Sequence, residues 1–247
     1  MPGSRDIQSF CVVNSLRLGA NLASKRRRLT ELREKAAADE TRLLEIVRDA
    51  QALGSLELAG FAFRWEEVRS RATAAPIEVA RMRSAQRAVP SDAPIGLDSL
   101  LAWHGALVGA ADGLRQTERA RARNEDLPPA PPDRILGRLR ILADWLAASS
   151  AGELQAAQTG ALVLARVIEI LPFQDGNGRV ARLAASHAME RAGALPPILA
   201  GGDRPTLEAA LSAAFRLDTE PLAALLQEAS ERPLDVMIQS LESGEAS

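Results

Sequence analysis

An all-α helical bundle is the fold class this sequence predicts, and three observations predict it. Alanine (46), leucine (35) and arginine (28) dominate the 247 residues, and such side chains lose little rotamer entropy in a helix. Strand formers are scarce, since Tyr is absent and aromatics make up 3%. Apolar residues recur at three- and four-residue spacings between Pro and Gly punctuation, which is the helical period. At about 150 residues per domain, the length suits one sizeable domain or a domain with an extension.

The elements follow in order. Residues 22–53 hold few breakers and place Leu22, Leu29, Leu32, Leu43, Ile46, Val47 and Leu53 as one apolar helix face requires. Within this stretch KRRR at 25–28 reads as a solvated helix face, with a nucleic-acid surface as the sharper alternative. WEEVRSRA at 65–72 predicts a second helix, followed by a Pro-bearing segment as far as Pro94. Leu97 to Val108 predicts another, opened by Asp98 or Ser99 as its cap. Residues 112–132 read as irregular and end in PPAPP, a stiff extended connector. Helices are expected again at 133–148, 153–170 and 178–192. Three short ones close the chain, led by Pro205, Thr219 and Glu231.

Composition excludes several chemistries. The single Cys11 leaves no intrachain disulfide and no multi-cysteine zinc site, and His104 and His187 are too few for a histidine-rich metal centre. A net charge of −2 gives no global field toward nucleic acid or anionic lipid. The opening MPGSRDIQSF lacks an apolar signal core, and no uncharged apolar run approaches the roughly 18 residues of a membrane span. A cytoplasmic protein that binds no membrane, and nucleic acid only through a local patch, is the expectation.

The chemistry concentrates in ILPFQDGNGRVARLAA, residues 170–185. Pro172 stops one helix, Asp175-Gly176-Asn177-Gly178 forms a loop, and a new helix begins at once. A glycine-rich loop feeding a helix N-terminus presents unused backbone N–H groups and the positive dipole end, which together hold anionic oxygens. Arg179 and Arg182 fall on one helix face, where two guanidinium forks can grip two phosphates. Asp175 stands where a phosphate-bound Mg²⁺ would want a carboxylate. A plain interhelical turn is the blander reading, but the uninterrupted order of helix, Pro-Phe, carboxylate, Gly-Asn-Gly and Arg-x-x-Arg favours a phosphate site.

LPFQDGNGR resembles the Fic (Fido) signature HPFx(D/E)GN(G/K)R at every specified position but the first, where Leu171 replaces histidine. The resemblance spans about residues 54–200. It implies a Fic-fold bundle with a short flap hairpin or loop near 115–127, a helical extension at 1–53 and another at 201–247. Active members transfer AMP from ATP to a protein hydroxyl. By resemblance, Asp175 would hold Mg²⁺ on the nucleotide, and the amides of Gly176, Asn177 and Gly178 would form the anion hole. Arg179 and Arg182 would grip the distal phosphates, and Phe173 would anchor the loop. Residue 171 would be the general base, and leucine cannot accept a proton. His187, about 12 Å further along the helix, is too distant to substitute, and His104 reads as a structural partner within its own helix.

SLELAG at 55–60 resembles the family's inhibitory pattern (S/T)xxxE(G/N), with Ser55 and Gly60 in place but Ala59 where the glutamate belongs. Glu57 lies about 200° around a helix from that position, so Arg182 is expected to be unclamped. The alternative is that SLELAG is a mere helix end. In the flap region Arg119, Arg121 and Arg123 alternate among poor strand formers, which implies a basic loop. Two readings follow: a nucleotide- or phosphate-binding pseudoenzyme or regulator, and an active transferase with a different base. The resemblance also leaves room for a protein target, a regulatory partner and a homo-oligomer.

Overall fold

Every regular element among the described residues is helical, as the composition predicts. The computed structural model describes residues 22–36, 39–69, 75–109, 113–118, 129–148 and 152–244. Cys11, Arg119, Arg121 and Arg123, most of the expected flap, Pro128 and the end of the WEEVRSRA stretch lie outside the described residues. The helices are α1 (Leu22–Ala36), α2 (Glu40–Leu58), α3 (Trp65–Arg69), α4 (Ile77–Arg87), α5 (Leu97–Val108), α6 (Pro132–Ala147), α7 (Ala156–Ile170), α8 (Asn177–Arg191), α9 (Arg204–Phe215), α10 (Glu220–Ala229) and α11 (Arg232–Glu242). None is long and apolar enough to cross a membrane.

Three elements depart from expectation, each for a local reason. The face expected over 22–53 is carried by two helices, because Asp39 caps α2 by accepting from the Thr41 amide at 2.9 Å. A proline just ahead of a first turn removes no helical hydrogen bond, so Pro76 precedes α4 in a segment that reads as broken. Helix α5 starts after an extended Gly96, and the Ser99 hydroxyl accepts from the Gly96 amide at 2.8 Å, so Ser99 caps from inside the first turn.

Two of the KRRR cations, Lys25 and Arg28, have structural partners. Lys25 reaches Asp235 at 2.8 Å and Arg28 reaches Glu242 at 2.9 Å, joining α1 to α11. Those two charges are thereby paired within the chain.

Leu43, Ile46, Leu56, Met82, Leu100, Leu164 and Met189 are among the fully buried side chains that α2, α4, α5, α7 and α8 supply, and Phe173 joins them from the loop between α7 and α8. Two glycines allow backbones to close. A Cβ on Gly54 of α2 would lie 1.9 Å from the Leu199 carbonyl oxygen, and one on Gly160 of α7 would lie 2.7 Å from Cγ of Met189 in α8.

A polar seam fixes α2 against α8. Gln51 Nε2 donates to Ser186 Oγ at 2.7 Å, Ser186 Oγ donates to Glu190 at 2.7 Å, and Arg48 pairs with Glu190. Four residues further along α2, Ser55 meets Arg182, four residues back along α8. The helices therefore run antiparallel in register, and the end of α2 is delivered to the beginning of α8. That register positions the site.

Candidate anion-binding site

The site begins with a forced turn. Helix α7 ends at Leu171 in the left-handed conformation (φ 47°, ψ 64°), a region that costs a non-glycine residue about 1–3 kcal/mol. Several contacts hold it there. Arg115, 4% exposed, donates from Nε to the Leu171 carbonyl at 2.7 Å, from Nη2 to the Ile170 carbonyl at 3.4 Å and to that of Ala130, and from Nη1 to the Thr117 carbonyl at 3.1 Å. The Arg115 amide donates to the Pro172 carbonyl at 2.9 Å. A buried guanidinium thus neutralises the carbonyl end of α7 and ties 113–118 and the connector at Ala130 to the signature loop.

The loop itself is stapled by side chains. Asn177 accepts from the Phe173 amide at 2.9 Å and donates to the Phe173 carbonyl at 2.7 Å. Phe173 is fully buried, with its ring stacked on His104 at a 3.9 Å centroid separation and 3° between planes. His104 Nε2 lies 3.2 Å from the Asp175 carbonyl oxygen. His104 is thus a structural side chain, and the partners that give it this role, the Phe173 ring and the Asp175 carbonyl, belong to the signature loop. His187 contacts the Ala93 carbonyl at 2.7 Å and the edge of Trp103, remote from the loop. Gly176 enters α8 at φ 78°, where glycine carries no steric cost.

These turns open a cavity of about 240 Å³ lined by Leu58, Ala59, Phe61, Leu171, Asp175, Gly176, Asn177, Gly178, Arg179 and Arg182. Every residue singled out for nucleotide binding lines it, together with the base position, the carboxylate and Ala59. Phe173 and Ser55 support it from outside, through the loop and Arg182, and Gly60 lies exposed just past Ala59. Arg179 is 9% exposed, lies 5.7 Å from the Phe61 ring and reaches the exposed Asp175 carboxylate at 3.5 Å.

Arg182 is where expectation and structure differ. No glutamate clamps it, because Glu57 turns away to accept from the Gly201 amide at 2.9 Å. It is held nonetheless: Nε donates to Ser55 Oγ at 2.9 Å and Nη2 to the Ser55 carbonyl at 2.7 Å. Both partners are neutral, and among the described residues no carboxylate pairs with it. Burial pushes its guanidinium down to about 9, with the positive charges of Arg179 and Arg204 acting in the same direction. The cavity thus carries a cation short of a counter-charge.

Metal chemistry would be borrowed from the ligand. Among the described residues no group of three His, Cys, Asp or Glu side chains could hold a metal. Asp175, 87% exposed at its side chain, fits the usual role of one carboxylate beside phosphate-borne Mg²⁺.

Arg115 and His104 are the supports that sequence reasoning missed. Arg115 sat in a run of charge with no motif around it, and nothing local placed His104 beneath residue 173.

A helical bundle with this loop between two of its helices defines a class. Residues 94–189 match the sequence model of the Fic/DOC family, and the chain carries a Fic domain. It is 30% identical over 152 residues to the protein adenylyltransferase Fic of Nematostella vectensis, covering 59% of this chain and 35% of that one. It is 28% identical over 154 residues to protein adenylyltransferase fic-1 of Caenorhabditis elegans, covering 60% and 30%. The chain spans about a third of the length of these relatives. Among solved structures, Fic-1 from C. elegans superposes with a TM-score of 0.69 at 22% identity, covering 90% of this chain and 74% of that one. A Fic domain-containing signaling protein from Bacteroides thetaiotaomicron superposes at 0.70 with 16% identity, covering 91% and 97%. The common fold therefore extends well beyond residues 94–189.

Proposed function

We propose that this protein binds a nucleotide or another phosphate-bearing ligand at the 175–182 loop without transferring AMP, and so acts as a regulator or pseudoenzyme. One observation carries the reading: Arg182 is a part-buried cation with neutral partners, lining the cavity beside Arg179 and the start of α8. An anion there would gain two guanidiniums and the N-terminal amides of a helix, and would relieve the cost of the unbalanced charge.

Transfer is a separate matter. The relatives are named protein adenylyltransferases, and that activity needs a group to take the proton of an attacking hydroxyl. Leu171 lines the cavity at the base position, and a hydrocarbon side chain neither accepts a proton nor orients a nucleophile. Loss of a general base costs about 10²–10⁴ in rate. His104 supports the loop from below, 3% exposed, and does not line the cavity. Mg²⁺ would arrive with the nucleotide, with Asp175 as its protein ligand, and would neutralise phosphate charge. A protein target, a regulatory partner and assembly with further copies belong to the same proposal.

Calorimetry with Mg-ATP and with inorganic pyrophosphate tests binding. Measurable affinity, weakened more than tenfold in Arg179→Ala, supports the reading. Failure of both anions to bind at millimolar concentration overturns it.

A further inference from the structure

The signature cavity has two chemically different walls. One consists of Gly176, Asn177, Gly178, Arg179 and Arg182, which offer amides and guanidiniums, with the Asp175 carboxylate beside Arg179; the other consists of Leu58, Ala59, Phe61 and Leu171, whose side chains are hydrocarbon. An inorganic anion satisfies the first wall and leaves the second against water. The apolar wall is also pre-formed. Phe61 is fixed between the Arg179 guanidinium at 5.7 Å and the stacked Phe63 ring at 6.0 Å. Leu171, 7% exposed, is fixed by its left-handed backbone and the Arg115 bond to its carbonyl. Rigid apolar groups beside charged donors are the usual make-up of a small-molecule site.

From these two walls we infer that the ligand is a phosphate monoester with a compact apolar or aromatic body. The phosphoryl group lies against the loop and Arg179 and Arg182, and the body packs on Phe61, Leu58 and Leu171. This rests on the anion-binding reading above and adds the chemistry of the rest of the ligand. Leucine at 171 is central to it, because the residue that removes a base also completes the hydrocarbon wall. At about 25 cal/mol per Å² a tenfold gain in affinity requires burying roughly 60 Å² of apolar surface. A phenyl ring laid on this wall supplies that area.

The test compares inorganic phosphate with phenyl phosphate by calorimetry, on the wild-type protein and on Phe61→Ala. Phenyl phosphate should bind at least tenfold tighter than phosphate to the wild type, and the ratio should fall below about threefold in Phe61→Ala. A ratio is insensitive to general loss of folded protein. Equal affinities in the wild type would overturn the inference and leave the anion site standing. Binding of neither probe would overturn the anion site with it. A preference that survives Phe61→Ala unchanged would place the body off this wall and overturn the inference alone.

Discussion

Arg115 donates to the carbonyl of Leu171 at 2.7 Å from a position 56 residues earlier in the chain. The bond joins the segment leading toward the expected flap to the residue at the expected base position, and the same guanidinium reaches Ile170, Ala130 and Thr117.

Arg115→Met should therefore strip bonds from several buried carbonyls at once. Each buried acceptor left unpaired costs about 1–3 kcal/mol, although some keep other partners. A net loss of about 2–4 kcal/mol in urea unfolding is expected, with Arg115→Lys less affected. A change within about 0.5 kcal/mol would show that Arg115 does not hold the turn.

Two glycine substitutions should move in opposite directions. Gly54→Ala would drive a Cβ to 1.9 Å from the Leu199 carbonyl oxygen and should cost about 3 kcal/mol or more, at or above the upper end of ordinary overpacking. Gly137 lies exposed inside α6, with nothing within 4 Å of a Cβ. Gly137→Ala should stabilise by about 0.5–1 kcal/mol through helix propensity. Thermal melts of the two variants check both signs, and equal shifts would contradict the packing described.

Arg182 should trade stability for binding. Its guanidinium is part-buried beside Arg179 and Arg204 with only neutral acceptors. Arg182→Met removes that burden at the cost of two hydrogen bonds, and well-packed apolar replacements of buried charge are commonly neutral or stabilising. The ligand-free variant should melt at or above the wild-type temperature, and the upward shift that pyrophosphate gives the wild type should vanish. A variant that melts well below wild type yet keeps the shift would mean that Arg182 serves the fold and not the ligand.

Much of this was legible in the chain. The helical bundle followed from composition and apolar spacing, and the loop from the nine consecutive residues LPFQDGNGR. Pairings across long separations were not legible. That Ser55 meets Arg182 depends on the antiparallel register of α2 and α8, set by Gln51, Ser186 and Arg48. That α4 exists at all was hidden by Pro76, whose effect depends on whether it precedes a helix or interrupts one. Arg115 shows no pattern in sequence because its partners are backbone carbonyls, which every residue has.

The central claim is that the phosphate grip stands while Leu171 has removed the transfer. Label from α-labelled ATP, followed onto protein for the wild type and Leu171→His in parallel, tests it most directly. The wild type should show no transfer and the variant a gain of at least a hundredfold above background, since among the described residues no glutamate clamps Arg182. Transfer by the wild type at a rate equal to that of the variant would contradict it.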